Sequence, residues 1–284
     1  MALTSCLLLL SALLSLLTYF ELSLQQDWRM FFVPILLLPA FFLALLAALL
    51  LGLFLASLRF EVSKRHKPSP FLIGLVEELA FLACLLTRVH VRVSGIGRIK
   101  DLNAMVAINH LSNFDFIALL SAFRGKRVVA VAKQEIASWP LIGRVLSQAG
   151  FIYLRRDDLK EGVEAIEHGA RLIEDGLCSV AVSPEGTRNK GFPNPRMLPF
   201  HPGTFALAKK SSCPIALVCI QNTNAVKDRF PLRATNVYID VIDVIGKEQV
   251  ESMILRDISD LAHSKMDSFL KEKQARAYGA FALE

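Results

Sequence analysis

The first sixty residues restrict the fold more than any other part of this chain. Ala2 to Phe20 and Phe31 to Leu58 are two uncharged apolar runs joined by a short polar link from Glu21 to Arg29. A helix of the first run rises roughly 28 Å, the thickness of a hydrocarbon core, so each run is long enough to span a bilayer. Pro34 and Pro39 near the start of the second run predict a kinked or oblique entry. A cleaved signal peptide is the competing reading of the first run, but the run has no basic leader segment and no clear small-residue cleavage site. Arg59, Lys64, Arg65 and Lys67 follow the second run, whereas the link carries Glu21, Asp27 and only Arg29. By the positive-inside rule the two spans form a hairpin with the rest of the chain on the cytoplasmic side of an inner membrane.

Phe71 to Leu86 is apolar but interrupted by Glu77 and Glu78, which predicts an interfacial or packing helix rather than a third span. The chain therefore divides into a membrane-anchoring hairpin at 1–60, this helix and its linker at 61–88, and one domain at 89–284. In that domain the apolar pattern alternates between strand and helix. The expected strands are Val89–Val93, Met105–Ile108, Val128–Ala132, Phe151–Leu154, Ser179–Val182, Ile215–Ile220 and Val237–Val244. The expected helices are Phe114–Phe123, Leu141–Gln148, Leu159–Glu174, Thr204–Ser211 and an amphipathic one from about Val250 to Lys273. This is an α/β fold, a seven-stranded mixed or mostly parallel sheet flanked by helices. On Leu159–Glu174 the stripe Leu159, Val163, Ile166, Ala170 and Ile173 is expected to face the core, leaving His168 on the solvated side.

A net charge of +6 fits an anionic membrane surface, a phosphorylated substrate or an acidic carrier. No basic run interleaved with aromatics points to nucleic acid. Cys6, Cys84, Cys178, Cys213 and Cys219 lack metal-type spacing and read as reduced small hydrophobes, and no HExxH, GxSxG or P-loop pattern occurs.

Two polar knots interrupt the apolar pattern. Asn109-His110-Leu111-Ser112-Asn113-Phe114-Asp115 joins a strand to a helix, the kind of turn where α/β folds place chemistry. With His110 in the turn and Asp115 in the first helical turn, the carboxylate can hold one imidazole nitrogen and leave the other free as a base. The same letters, Ser112-x-x-Asp115, also spell a capping box, in which Asp115 reaches back to the backbone and His110 is an ordinary turn residue. The second knot, Ser183-Pro184-Glu185-Gly186-Thr187-Arg188, follows another strand. It reads as an ordinary β-turn, or as a turn whose N–H groups, Thr187 hydroxyl and Arg188 guanidinium suit a phosphomonoester.

Taken together, the two knots closely resemble the HX4D and PEGTR motifs of the 1-acylglycerol-3-phosphate acyltransferase family, matched at His110, Asp115 and Pro184 to Arg188. Between them Lys133-Gln-Glu-Ile with Trp139-Pro140-Leu-Ile-Gly143, and Gly150-Phe-Ile-Tyr-Leu-Arg155, resemble two lesser family segments; Phe200-His-Pro-Gly203 and Cys213-Pro214-Ile215 follow in the family's order. His201 stands where the family commonly has lysine, Cys213 where it has valine, and Ser183 where an aromatic usually precedes the proline. The resemblance implies acyl transfer from acyl-CoA or acyl carrier protein to the sn-2 hydroxyl of lysophosphatidic acid at the bilayer, giving phosphatidic acid. It implies His110 as base and Asp115 as its orienting acid. Glu185, Gly186, Thr187, Arg188, Arg155 and Lys133 would serve the acceptor's phosphate end, with Glu185 fixing arginines rather than touching ligand. No metal or separate cofactor is implied. Glycerol 3-phosphate or another lysophospholipid as acceptor, and a silent membrane protein that binds lipid or an acyl carrier, remain open alternatives.

Overall fold

The computed structural model describes residues 2–23, 33–59, 67–99, 103–155 and 158–281; residues 24–29 of the interhelical link and the basic Lys64 and Arg65 lie outside them. Two apolar helices, α1 (Ala2–Ser23) and α2 (Val33–Ser57), are each long and apolar enough to cross a membrane. They pair as a hairpin: the Ser15 hydroxyl donates to the Pro34 carbonyl at 2.7 Å, and Leu7 and Leu46 share a small cluster with Leu82. Most of their leucines face outward, as lipid-exposed surfaces do.

Leu82 belongs to α3 (Pro70–Leu86), which is a packing helix. Its two glutamates face protein rather than water. A Glu77 oxygen accepts from the Gly125 N–H at 2.8 Å, and Glu78 accepts from the Arg124 guanidinium and from the Thr4 hydroxyl of α1. Each glutamate that breaks the apolar pattern thus finds a partner within the protein, and Glu78 ties the hairpin to the domain.

The domain follows as β1 (Val89–Ser94), β2 (Met105–Ile108), α4 (Phe114–Ala122), β3 (Val128–Lys133), α5 (Gln134–Ala137), α6 (Ile142–Gln148) and β4 (Ile152–Leu154). Then come α7 (Leu159–Glu174), β5 (Ser179–Val182), α8 (Ala206–Lys210), β6 (Ile215–Gln221), α9 (Val226–Arg229), β7 (Thr235–Ile245), α10 (Lys247–Ser252) and α11 (Leu255–Phe281). The seven strands form one sheet in the order β1-β7-β6-β2-β5-β3-β4. Only β6 and β7 pair antiparallel; every other neighbouring pair is parallel. Every residue of β2 and β5 is buried, so both sheet faces are covered at the centre, as a parallel sheet requires.

One direction change organises the molecule. Because β7 reverses against β6 and β1 runs with β7, the starts of β1 and β7 lie at the same sheet edge as the ends of β2 to β6. Loops from both sets meet there.

Two helices depart from the expected pattern. In α7 Val163 is 59% exposed, while Ala165, His168, Gly169 and Leu172 are buried, so His168 faces the protein rather than solvent. Ile166, Ala170 and Ile173 of the expected stripe do pack inward, and the small residues Ala165 and Gly169 widen that face. A Cβ on Gly169 would stand 2.7 Å from Leu207 of α8 and 3.1 Å from Ile152 of β4, so glycine is what permits this close approach. The expected single helix from Val250 is broken into α10 and α11 by an extended Met253. There the Lys209 ammonium donates to the carbonyls of Val250, Glu251 and Met253, satisfying a helix end that would otherwise be orphaned.

Candidate active site

The end of β2 is fixed before any chemistry is placed on it. Where the β2–β6 ladder stops, the Asn109 side chain continues it, its amide nitrogen donating to the Ile220 carbonyl at 2.9 Å and its oxygen accepting from the Ile220 N–H at 2.6 Å. The next residue, His110, is 8% exposed, and its backbone is held on both sides. Its N–H donates to a Glu185 carboxylate oxygen at 2.8 Å, and its carbonyl accepts from the Asn189 N–H at 2.7 Å.

The chain then wraps around Asp115, which is fully buried. One carboxylate oxygen, Oδ2, accepts from the Leu111 and Ser112 N–H groups at 2.7 and 2.9 Å and lies 2.7 Å from His110 Nδ1. The other, Oδ1, accepts from the Thr223 hydroxyl. An oxygen already receiving two N–H groups acts as an acceptor towards the imidazole as well, so the network assigns the proton to Nδ1 and the lone pair to Nε2. The capping arrangement and the imidazole contact are therefore not alternatives. One carboxylate makes both, and Ser112 Oγ adds a bond from the Phe114 N–H. Phe116 sits edge-on to the His110 ring at 5.9 Å, while Ala118, Leu119, Leu120 and Phe123 of the same segment pack into the core.

The second knot sits beside the first because β5 is the parallel neighbour of β2. Gly186 takes φ +65°, and a Cβ there would stand 2.9 Å from the His201 ring, so a left-handed turn and a close imbalance of space both call for glycine. His201 is exposed and packs on the turn, its own N–H donating to the Pro184 carbonyl at 2.9 Å. Thr187 and Arg188 are exposed. Glu185, placed at the acceptor's phosphate end and expected there to fix arginines, instead faces inward. It is 2% exposed, and its two oxygens accept from the His110 and Leu198 N–H groups, making it a strut that reaches no arginine among the described residues. Burial raises its pKa above the usual carboxylate value despite those two bonds.

The remaining expected residues share the edge at greater distance. Lys133 closes β3 and is exposed. Arg155 follows β4, three strands from β2 and so roughly 14 Å across the sheet. Its guanidinium donates to Glu161 at 2.8 Å and lies 3.9 Å from Asp158, so the first turn of α7 holds it rather than the PEGTR turn. Sequence reading missed Thr223 and the bracing role of Asn109. The signal for Thr223 was a third polar knot, Gln221-Asn222-Thr223-Asn224, at the end of β6.

The geometry defines a strand-end site with a buried acid, an oriented imidazole and an exposed hydroxyl–guanidinium turn. A family model described as acyltransferase matches residues 90–221, a span that holds both knots and stops short of Thr223. The chain is 28% identical over 152 residues to the 1-acyl-sn-glycerol-3-phosphate acyltransferase of Helicobacter pylori, covering 54% of this chain and 62% of that protein. It is 27% identical over 164 residues to the enzyme of the same name from Haemophilus influenzae, covering 58% and 67% respectively. Against the chloroplastic 1-acyl-sn-glycerol-3-phosphate acyltransferase BAT2 of Brassica napus it is 31% identical over 127 residues, 45% of this chain and 35% of that one. The chain thus spans about a third to two thirds of the length of these curated relatives. Its fold is shared with the crystal structure of the 1-acyl-sn-glycerophosphate (LPA) acyltransferase PlsC from Thermotoga maritima, at a TM-score of 0.61 and 21% identity over 79% of this chain and 88% of that chain. Residues 90–221, just under half of the chain, thus match the acyltransferase family. Over that span and its flanks the chain is similar to bacterial 1-acyl-sn-glycerol-3-phosphate acyltransferases.

Proposed function

We propose that this protein transfers a fatty acyl group from acyl-CoA or acyl carrier protein to the sn-2 hydroxyl of 1-acylglycerol 3-phosphate, producing phosphatidic acid at the cytoplasmic face of the membrane. The observation that carries this reading is the bond of His110 Nδ1 to a fully buried Asp115, with the PEGTR turn locked to the same backbone through Glu185.

In this reading His110 Nε2 takes the proton of the acceptor hydroxyl as its oxygen attacks the thioester carbonyl. Asp115 holds the ring and offsets the imidazolium charge. Collapse of the tetrahedral intermediate breaks the carbon–sulfur bond, and the thiolate leaves with the proton that His110 returns. A thioester is already activated, so no acyl-enzyme is required. The buried thiols agree with this: burial pushes Cys84 up to about 11 and Cys178 up to about 12, which disfavours a thiolate nucleophile at either.

Arg188 and Thr187 hold the acceptor's phosphate, with Gly186 giving the turn its shape and Lys133 adding charge from the next strand end. Glu185 acts on the backbone only, and Arg155 braces α7. Residues 1–60 anchor the protein, 61–88 join the anchor to the domain, and 89–284 carry the reaction. The test is kinetic: Arg188→Ala should raise the acceptor's apparent KM about tenfold or more while leaving kcat within a few-fold, since a phosphate contact distant from the reacting atoms is uniform binding. An unchanged acceptor KM would remove the phosphate assignment.

A further inference from the structure

The segment after Thr223 leads from the site to an apolar surface that the acyl-transfer reading does not use. Thr223 is bonded to Asp115, and Val226 is buried three residues later, so the segment is anchored beside the site. Beyond this anchor Phe230 is 47% exposed and Leu232 is 84% exposed. The backbone beneath them is held: the Arg88 guanidinium donates to the Pro231 and Leu232 carbonyls, Arg229 donates to the Ala234 carbonyl, and the Thr235 N–H donates to the Arg88 carbonyl. These are hydrophobic side chains presented on a braced loop.

The same bonds bring the loop against the last turn of α3, where Leu85 and Leu86 are also exposed. One to two turns earlier, Glu78 and Leu82 of α3 meet Thr4 and the Leu7–Leu46 cluster of the hairpin. Through α3 this apolar loop is thus linked to the hairpin, whose own leucines largely face outward. Basic groups are interleaved with it: Arg88, Lys227, Arg229 and Arg233 are exposed, with Asp228 beside Lys227 as the one acid in the segment 226–234. An apolar tip interleaved with cations and linked through α3 to an apolar hairpin has the chemistry that suits an anionic leaflet.

We propose that residues 226–234 and the last turn of α3 form a second membrane contact, in which Phe230 and Leu232 enter an anionic leaflet and hold the rim of the site against its lipid acceptor. The proposal rests on the reading that the hairpin lies in a bilayer.

The full chain carrying Leu232→Trp, reconstituted in vesicles of phosphatidylcholine and phosphatidylglycerol, tests it. The added tryptophan emission, taken as the difference from wild type, should be quenched by acyl-chain-brominated lipid, and more weakly when phosphatidylglycerol is omitted. The Phe230→Ser/Leu232→Ser variant should show an acceptor KM about fivefold higher for vesicle-borne lysophosphatidate, with turnover of a water-dispersed short-chain acceptor unchanged. Protein that floats with the vesicles but shows neither the quenching nor the KM change overturns this contact and leaves the hairpin reading intact. Wild-type protein that does not float overturns the hairpin reading and this proposal with it.

Discussion

Asp115 receives hydrogen bonds from two backbone N–H groups, the Thr223 hydroxyl and the His110 ring, with none left to water. Its replacement by asparagine would turn an acceptor into a donor facing donors, so fold and activity would fail together. Thr223 separates them better, because valine keeps its shape. Thr223→Val should cost about 1–3 kcal/mol through the unsatisfied Oδ1. It should also lower kcat with the acceptor KM unchanged, as measured by steady-state kinetics beside thermal unfolding. An unchanged kcat would mean that the backbone bonds alone orient the carboxylate. His110 and Asp115 were legible because polar letters between two apolar runs stand out. Thr223 was not assigned, since the bond joins residues 108 apart and no local spacing encodes it.

At the level of elements, the turn after β5 is bound to the turn after β2 by one buried side chain. Glu185→Gln would place an amide NH2 against a backbone N–H, so a lower melting temperature and reduced kcat are expected. The pH dependence has a definite sign. Burial raises the folded pKa of Glu185, so its contribution to stability is fully present below the unfolded value and is lost as pH rises through the folded one. The stability margin of wild type over Glu185→Gln should therefore be largest near about pH 4 and shrink towards neutrality, read from unfolding midpoints across a pH series. A margin that grows with pH would contradict the assignment. A further element-level test lies in α7, where Gly169→Leu should destabilise by about 1–3 kcal/mol through overpacking against Leu207 and Ile152. Ile166, Ala170 and Ile173 of that packed face were legible as a stripe, whereas Ala165 and Gly169 carry little hydrophobic signal and the conspicuous Val163 faces solvent. The break at Met253 was hidden for a related reason: it depends on Lys209, a residue from another helix. The seven strands, by contrast, were each visible as short apolar runs after turn residues, and the boundaries differ mainly at their ends.

Across the whole molecule, the antiparallel step between β6 and β7 brings His110, the PEGTR turn, Thr223 and the 226–234 loop to one edge of the sheet, while α3 joins that edge to the hairpin. This topology puts the proposed chemistry and the apolar hairpin on parts of the molecule that α3 joins. Sequence could place each motif at a strand end but not at a common edge, because strand order and direction are set by non-local pairing. In the proposed reaction everything turns on the His110 imidazole removing the acceptor's proton in a direct transfer. Labelled lysophosphatidate incubated with acyl-CoA or acyl carrier protein and detergent-purified protein tests it most directly. Wild type should form labelled phosphatidate with one of the two donors. His110→Ala should lose about 10²–10⁴-fold in kcat at a nearly unchanged acceptor KM, with no acyl-enzyme in either form. Turnover by His110→Ala at the wild-type rate, or an accumulating acyl-enzyme, would contradict the account.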